Sequence, residues 1–260
     1  MSETTQFNIL IPRGKHITYP SSVGVIIPTR SEPLKECLKG VELNTPPITS
    51  ISIITDEGWG QTRIRYEGAL ASKANYVLLL DDDVFMYENV VQTYLNKIEE
   101  DYDAVCGSTN PAPANEFSRK VARYMTNPAT PFYPVGCTLW RREKFIQIMN
   151  EVGVDINRYL GDNRLSQRII EGGYKVFRCA DAVSDHIWCT TRLKFFKKRL
   201  AYGAALGEMY LQDKTFTRNY LKFLASIPLS TNEGIYIYRL ATWLGMTHFI
   251  LRRVSNGSPR

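Results

Sequence analysis

At 260 residues and 44% hydrophobic content, the chain is long enough for one large domain with a sizeable core, which excludes disorder along its whole length. Its formal charge of +6 favours anionic partners such as nucleotides, phospholipid headgroups or nucleic acid, without selecting among them. The five cysteines are odd in number and lack CxxC spacing, so they suit free thiols in a reducing compartment better than a disulfide framework or a zinc site.

The opening "MSETTQFNIL" has no basic region leading into a long apolar segment. It therefore reads as no secretory signal, and cytoplasmic exposure is the default expectation. "VGVIIPT" (23–29) is short, apolar and β-branched, the pattern of a strand buried on both faces and stopped by Pro28. A helix is predicted around "EPLKECLKGV". "SISIITDEG" (50–58) is a second strand that delivers Asp56, and "QTRIRYEGALAS" has helical character. "YVLLLDDD" is the third strand and "ENVVQTYLNKIEE" the next helix, with Glu88 and Asn89 near its start. This alternation predicts an α/β fold with a largely parallel sheet between helices.

The texture then changes. "TNPAPANEF" and "TNPATPFYPVG" are proline-rich and read as loops bracketing a short helix. "CTLWRREKFIQIMNE" reads as a strand turning into a helix. "NRLSQRIIEGG" is an amphipathic helix with Leu165 and Ile169 on one face, and "YKVFRC" is a closing strand. From residue 192 onward three basic, aromatic helices are predicted, in "TRLKFFKKRLAYGAALGEMYLQ", "RNYLKFLASIPL" and "GIYIYRLATWLGMTHFILRR". The last is short for a bilayer span and suits a helix packed on protein or lying in a membrane interface. The expected division is a catalytic domain over 1–191 and a helical extension over 192–260, the latter a membrane-surface or oligomer contact.

Ligands of such sheets bind beyond the carboxyl ends of the strands, where Thr29, Asp56 and Asp81, Asp82 and Asp83 are expected. Three consecutive carboxylates on a rigid strand repel one another unless hydrogen bonds or a cation compensate them. Mg2+ or Mn2+ takes carboxylate oxygens and commonly keeps positions for substrate phosphates. The bland alternative is a solvated turn that caps the next helix.

These motifs together resemble the GT-A fold glycosyltransferases, especially inverting family 2, over roughly residues 22–190. "VGVIIPTRSEP" resembles the family's opening strand, with Thr29 and Glu32 where donor-binding residues lie. Asp56 stands where a carboxylate pairs with the nucleotide base. "RIRYEGALASKANYVLLLDDD" is similar to the segment leading from an arginine, here Arg65, into an Asp-x-Asp signature, here Asp81 and Asp83 around Asp82. "PVGCTLWRREKF" resembles the acceptor-side strand and helix. "GDNRLSQRII" resembles the helix whose leading aspartate is the catalytic base, which implies Asp162. His186 matches a histidine that often completes the metal site.

The resemblance implies a metal-dependent transfer of a sugar from a nucleotide-diphosphate sugar, UDP-sugar favoured, to a hydroxyl of a carbohydrate or lipid-linked acceptor. It implies Mn2+ or Mg2+ at Asp83 and His186 with Asp81 close by, and donor contacts from Thr29, Glu32, Asp56, Arg65, Asp81 and Asp82. Arg65 would meet a phosphate; its bland reading is a solvated surface arginine. The bland reading of Asp162 is an N-cap for the helix it leads. Trp140 and Trp188 suit either a sugar face or the core. Tyr66, Gly161 and the acid Asp185 beside His186 depart from the family pattern. A retaining transferase on the same fold and a nucleotidyltransferase remain the alternative enzymes; the latter usually has a glycine-rich phosphate loop, and "PTRSEP" has no glycine. No recognised nucleic-acid module accompanies the basic runs.

Overall fold

Apolar runs that stop on polar residues become the strands of one sheet. The computed structural model describes residues 6–7, 22–30, 32–44, 47–56, 60–113, 115–119, 135–153, 161–188, 191–212 and 233–255. Two units emerge, Met1–Asn110 with Pro128–Ile187, and Pro111–Asn127 with Trp188–Arg260. The strands are β1 (Gln6–Phe7), β2 (Val23–Thr29), β3 (Ile48–Thr55), β4 (Tyr76–Leu80), β5 (Val84–Met86), β6 (Ala104–Pro113), β7 (Cys137–Arg141) and β8 (Val176–Trp188). Their spatial order is β1-β3-β2-β4-β7-β6-β8-β5.

The parallel rhythm holds where it was expected, β2 running parallel to both β3 and β4. Among the described residues β1 pairs with β3, β4 with β7, β6 with β7 and β5 with β8 in antiparallel fashion, so the sheet is mixed. Pro28 does not stop β2, which continues to Thr29. Pairing with β4 ends at Ile26, whereas pairing with β3 runs on through Pro28. A proline cannot donate to a ladder, and here it sits where β2 has a neighbour on one side only. The parting of β2 from β4 opens the sheet at their carboxyl ends.

Alternation along each strand sorts the core into two layers. Val25, Ile27, Leu78, Leu80, Val105 and Leu139 face α1 (Lys35–Leu43) and α3 (Val90–Ile98). Ile26, Val77, Leu79, Ala104 and Trp140 face α2 (Gln61–Ala71), α4 (Arg142–Val152) and α5 (Gly161–Glu171). Trp140 is 1% exposed with its ring tilted against Phe145 at 5.7 Å, so it fills the core and is not an open sugar platform. Trp140→Ala is expected to cost about 3–5 kcal/mol, read from urea unfolding. The side chain of Trp188 lies outside the described residues.

Two adjacent arginines tie the layers to the sheet. Arg141 donates to Tyr102 O and Ile98 O at the end of α3, and Arg142 donates to Ala69 O and Leu70 O at the end of α2. Each places a cation at the carboxyl end of a helix, where carbonyl oxygens collect.

Departures from the expected elements have local causes. β6 runs through Pro113, although "TNPAP" reads as a loop, because proline is compatible with extended chain away from a ladder that needs its donor. β8 is 13 residues long, far beyond "YKVFRC". β5 was not foreseen. The segment "RNYLKFLASIPL" and most of "TNPATPFYPVG" lie outside the described residues.

In the second unit, α6 (Arg192–Gln212) and α7 (Glu233–Ser255) pack in parallel. Arg199 lies 4.3 Å from the centre of the Tyr238 ring, Gly203 lies against Thr242 and Gly207 against Met246, so contacts advance together along both helices. Among the described residues, no helix is long and apolar enough to cross a membrane.

Candidate active site

The aspartate triplet forms a corner between β4 and β5, pinned by its backbone. Asp81 N–H donates to Gly136 O at 2.8 Å, extending the β4–β7 ladder by one step. Val84 N–H closes a turn onto Asp81 O at 3.1 Å, Leu34 N–H donates to Asp82 O at 3.0 Å, and Ile187 N–H donates to Asp83 O at 2.7 Å. With these groups paired, the carboxylates project from a rigid support.

Each carboxylate turns to a different partner. Asp82 Oδ2 accepts from Thr29 Oγ1 at 2.6 Å, across the gap where β2 and β4 part. Asp83 Oδ1 lies 3.0 Å from His186 Nε2, with both side chains about one-third exposed. Asp81 Oδ1 accepts from Arg65 at 2.5 Å, and the other terminal nitrogen of Arg65 donates to Asp162 Oδ1 at 2.7 Å. Asp81 Oδ2 lies so near Gly136 that a Cβ there would stand 2.2 Å from it, so a side chain at 136 would displace the carboxylate.

Charge is dense at this corner. Burial raises the Asp82 carboxyl above its ordinary value, with Asp83 and Asp81 adding to the rise and the Thr29 hydrogen bond opposing it. Burial, then Asp82, Asp83 and Asp81, push the Cys37 thiol up to about 12, and that thiol stays protonated to donate to Asp81 O. Burial works against the Arg65 cation, but Asp162 and Asp81 outweigh it and its pKa is raised.

Arg65 is 2% exposed, which corrects its reading as a solvated surface arginine. Asp56 is held at the end of β3: its N–H donates to Thr29 O, its Oδ1 accepts from Gly60 N–H at 2.9 Å, and Arg30 Nε lies 3.7 Å from its Oδ2. Glu32 is exposed, two residues before the Leu34 amide that reaches the triplet. Asp185 accepts from the Tyr87 hydroxyl at 2.8 Å.

Asp162 lies in the first turn of α5, whose start is set by contact with α2. A Cβ at Gly161 would stand 1.7 Å from Thr62 Oγ1, so the glycine that departs from the family pattern is where Thr62 leaves no room for a side chain. Gly161→Ala is expected to cost about 1–3 kcal/mol in urea unfolding, and adding Thr62→Ala should recover most of the loss.

The donor set suits a divalent cation only in part. Asp83 and His186 offer one oxygen and one imidazole nitrogen, a chemistry compatible with Mn2+ and more weakly with Mg2+. Among the described residues no group of three or more His, Cys, Asp or Glu side chains converges as a metal site. A cation held here would need further ligands, and diphosphate oxygens are of the right kind.

The sequence model described as Glycosyl transferase family 2 matches residues 48–168, which span β3 to α5. No curated protein matches in sequence. The mannosyltransferase PcManGT from Pyrobaculum calidifontis, solved in complex with GDP-Man and Mn2+, is similar at 13% identity and TM-score 0.50, over 93% of this chain and 77% of that one. GalNAc-T7, solved with UDP, GalNAc and Mn2+, is similar at 13% identity and TM-score 0.53, over 92% of this chain and 58% of that one. At such identity these likenesses establish the fold. By its fold and by the segment 48–168, this chain has a GT-A fold and resembles the family 2 glycosyltransferases.

Proposed function

We propose that the protein moves a sugar from a nucleoside diphosphate donor, UDP-sugar favoured, to an acceptor hydroxyl in one displacement that inverts the anomeric carbon. The observation that carries this reading is the pairing of Asp162 and Asp81 on one buried guanidinium, which brings a candidate base beside the donor triplet. In this reading Asp162 takes the proton of the acceptor hydroxyl, and the side chain, 53% exposed, has room to meet an acceptor. The nucleotide lies where β2 and β4 part. Its base takes Asp56 Oδ2 in place of Arg30, and Asp82 stays fixed by Thr29. The nucleotides and Mn2+ in the two similar structures support this donor class. A bound Mn2+ or Mg2+ would be held by Asp83 and His186 and would offset the charge of the departing diphosphate.

Residues up to about 191 are assigned the chemistry and the remainder the acceptor side. Tyr236, Leu240, Trp243, Leu244 and Leu251 are exposed on α7, and Arg192, Lys194 and Lys197 are exposed at the start of α6, a combination that supports contact with an anionic membrane carrying a lipid-linked acceptor. No sedimentation with anionic liposomes at low salt would remove that part of the reading.

The transfer itself is tested by incubating the protein with UDP-glucose, UDP-GalNAc and GDP-mannose, with and without Mn2+, and assigning the released sugar's anomeric configuration by NMR before mutarotation. Metal-dependent turnover with inversion is expected. Retained configuration would overturn the single displacement and favour a retaining transferase, and no turnover of any nucleotide sugar would overturn the donor class.

A further inference from the structure

We propose that Arg65 is a positioning residue that fixes the orientation of Asp162 relative to the donor corner, an inference that rests on the base role of Asp162. Arg65 rises from α2 and is 2% exposed. Its two terminal nitrogens go to different carboxylates, 2.7 Å to Asp162 Oδ1 and 2.5 Å to Asp81 Oδ1. Its Nε has no hydrogen-bond partner among the described residues, so the cation is committed entirely through its two ends. A guanidinium is a rigid plane, and a plane fastened at both ends transmits the position of one carboxylate to the other.

The second fastening is one helical turn away. Thr62 precedes Arg65 by three residues on α2, the spacing that places two side chains on one helix face. Thr62 seats Gly161 and Arg65 seats Asp162, so two successive residues of α5 are held by that face. The first contact sets where α5 begins, and the second sets how the Asp162 carboxylate is turned. Asp81 is itself fixed by the Gly136 ladder bond, so the base is referenced to the sheet through one side chain. A lysine keeps the charge but offers one ammonium, which cannot hold two carboxylates in a single plane.

The experiment is a double-mutant cycle on hydrolysis of whichever of UDP-glucose, UDP-GalNAc and GDP-mannose turns over fastest with Mn2+. Arg65→Lys, Asp162→Asn and the double variant are compared, each first checked by thermal unfolding. Arg65→Lys is expected to lower kcat about 10²-fold, the scale of a misplaced catalytic group, with a smaller change in KM. In the Asp162→Asn background the same substitution should change kcat little, because the group it orients is gone. Losses that multiply across the cycle overturn the positioning role alone. Near-wild-type turnover by Asp162→Asn overturns the base reading, and this inference with it. Should Arg65→Lys fail to fold, Arg65→Gln, which still donates from one amide, carries the same comparison with the same two outcomes.

Discussion

Asp162→Asn is expected to remain folded, to bind UDP with Mn2+ as the wild type does, and to turn over sugar about 10²–10⁴-fold more slowly. The substitution is nearly isosteric, and an amide oxygen can still accept from the buried Arg65 nitrogen that now meets Asp162 Oδ1 at 2.7 Å. Packing at the start of α5 rests on Gly161 against Thr62, a contact the variant leaves alone. What disappears is a group able to accept a proton from a hydroxyl, so the loss should fall on kcat. Calorimetry of UDP binding and initial rates, measured on the same preparation, separate the two quantities. Rates within a factor of a few of wild type would remove Asp162 from the chemistry.

Asp83→Ala is expected to abolish the Mn2+-dependent part of UDP binding while leaving thermal stability close to wild type. Asp83 contributes to the corner through its carbonyl oxygen, which accepts from Ile187 N–H at 2.7 Å and is retained by alanine. Its side chain is 36% exposed and reaches His186, so truncation removes little packing. His186 remains, but a lone imidazole is a poor site for Mg2+ and a weak one for Mn2+. Titrating UDP into the variant with and without Mn2+ gives the answer, and a preserved difference between the two titrations would refute the metal assignment at this residue.

How much of this was legible beforehand depends on the range of the interaction. The strands that end at Thr29 and Leu80 are buried throughout and announce themselves as apolar runs, whereas β3, ending at Thr55, is only partly buried and mixes isoleucines with serine and threonine. The helices through Leu165 and Ile169, and through Val90 to Ile98, show their period directly. Interactions between distant residues were not readable. Glu88 and Asn89 looked like the start signals of α3, yet Asn89 makes no side-chain cap; the Val91 amide is capped by Asn44, buried and 47 residues away. Arg65 could be placed on a helix near the site, but its burial between Asp81 and Asp162 depends on where α5 docks. β5 and the far half of β8 are short or polar segments that become strands by pairing with each other, Val84 opposite His186.

The corner that carries the triplet has a consequence for the order in which the chain assembles during synthesis. β2, β3 and β4 pair within the first eighty residues and can begin to associate early. The hydrogen bonds that hold Asp81 and Asp83 wait for Gly136 and then for Ile187 to leave the ribosome. Contacts of such long sequence separation close late because the intervening chain must first give up its freedom. The aspartate corner should therefore be among the last parts of the first unit to form, and a nascent chain arrested before residue 187 would carry all three aspartates without a rigid place to hold them.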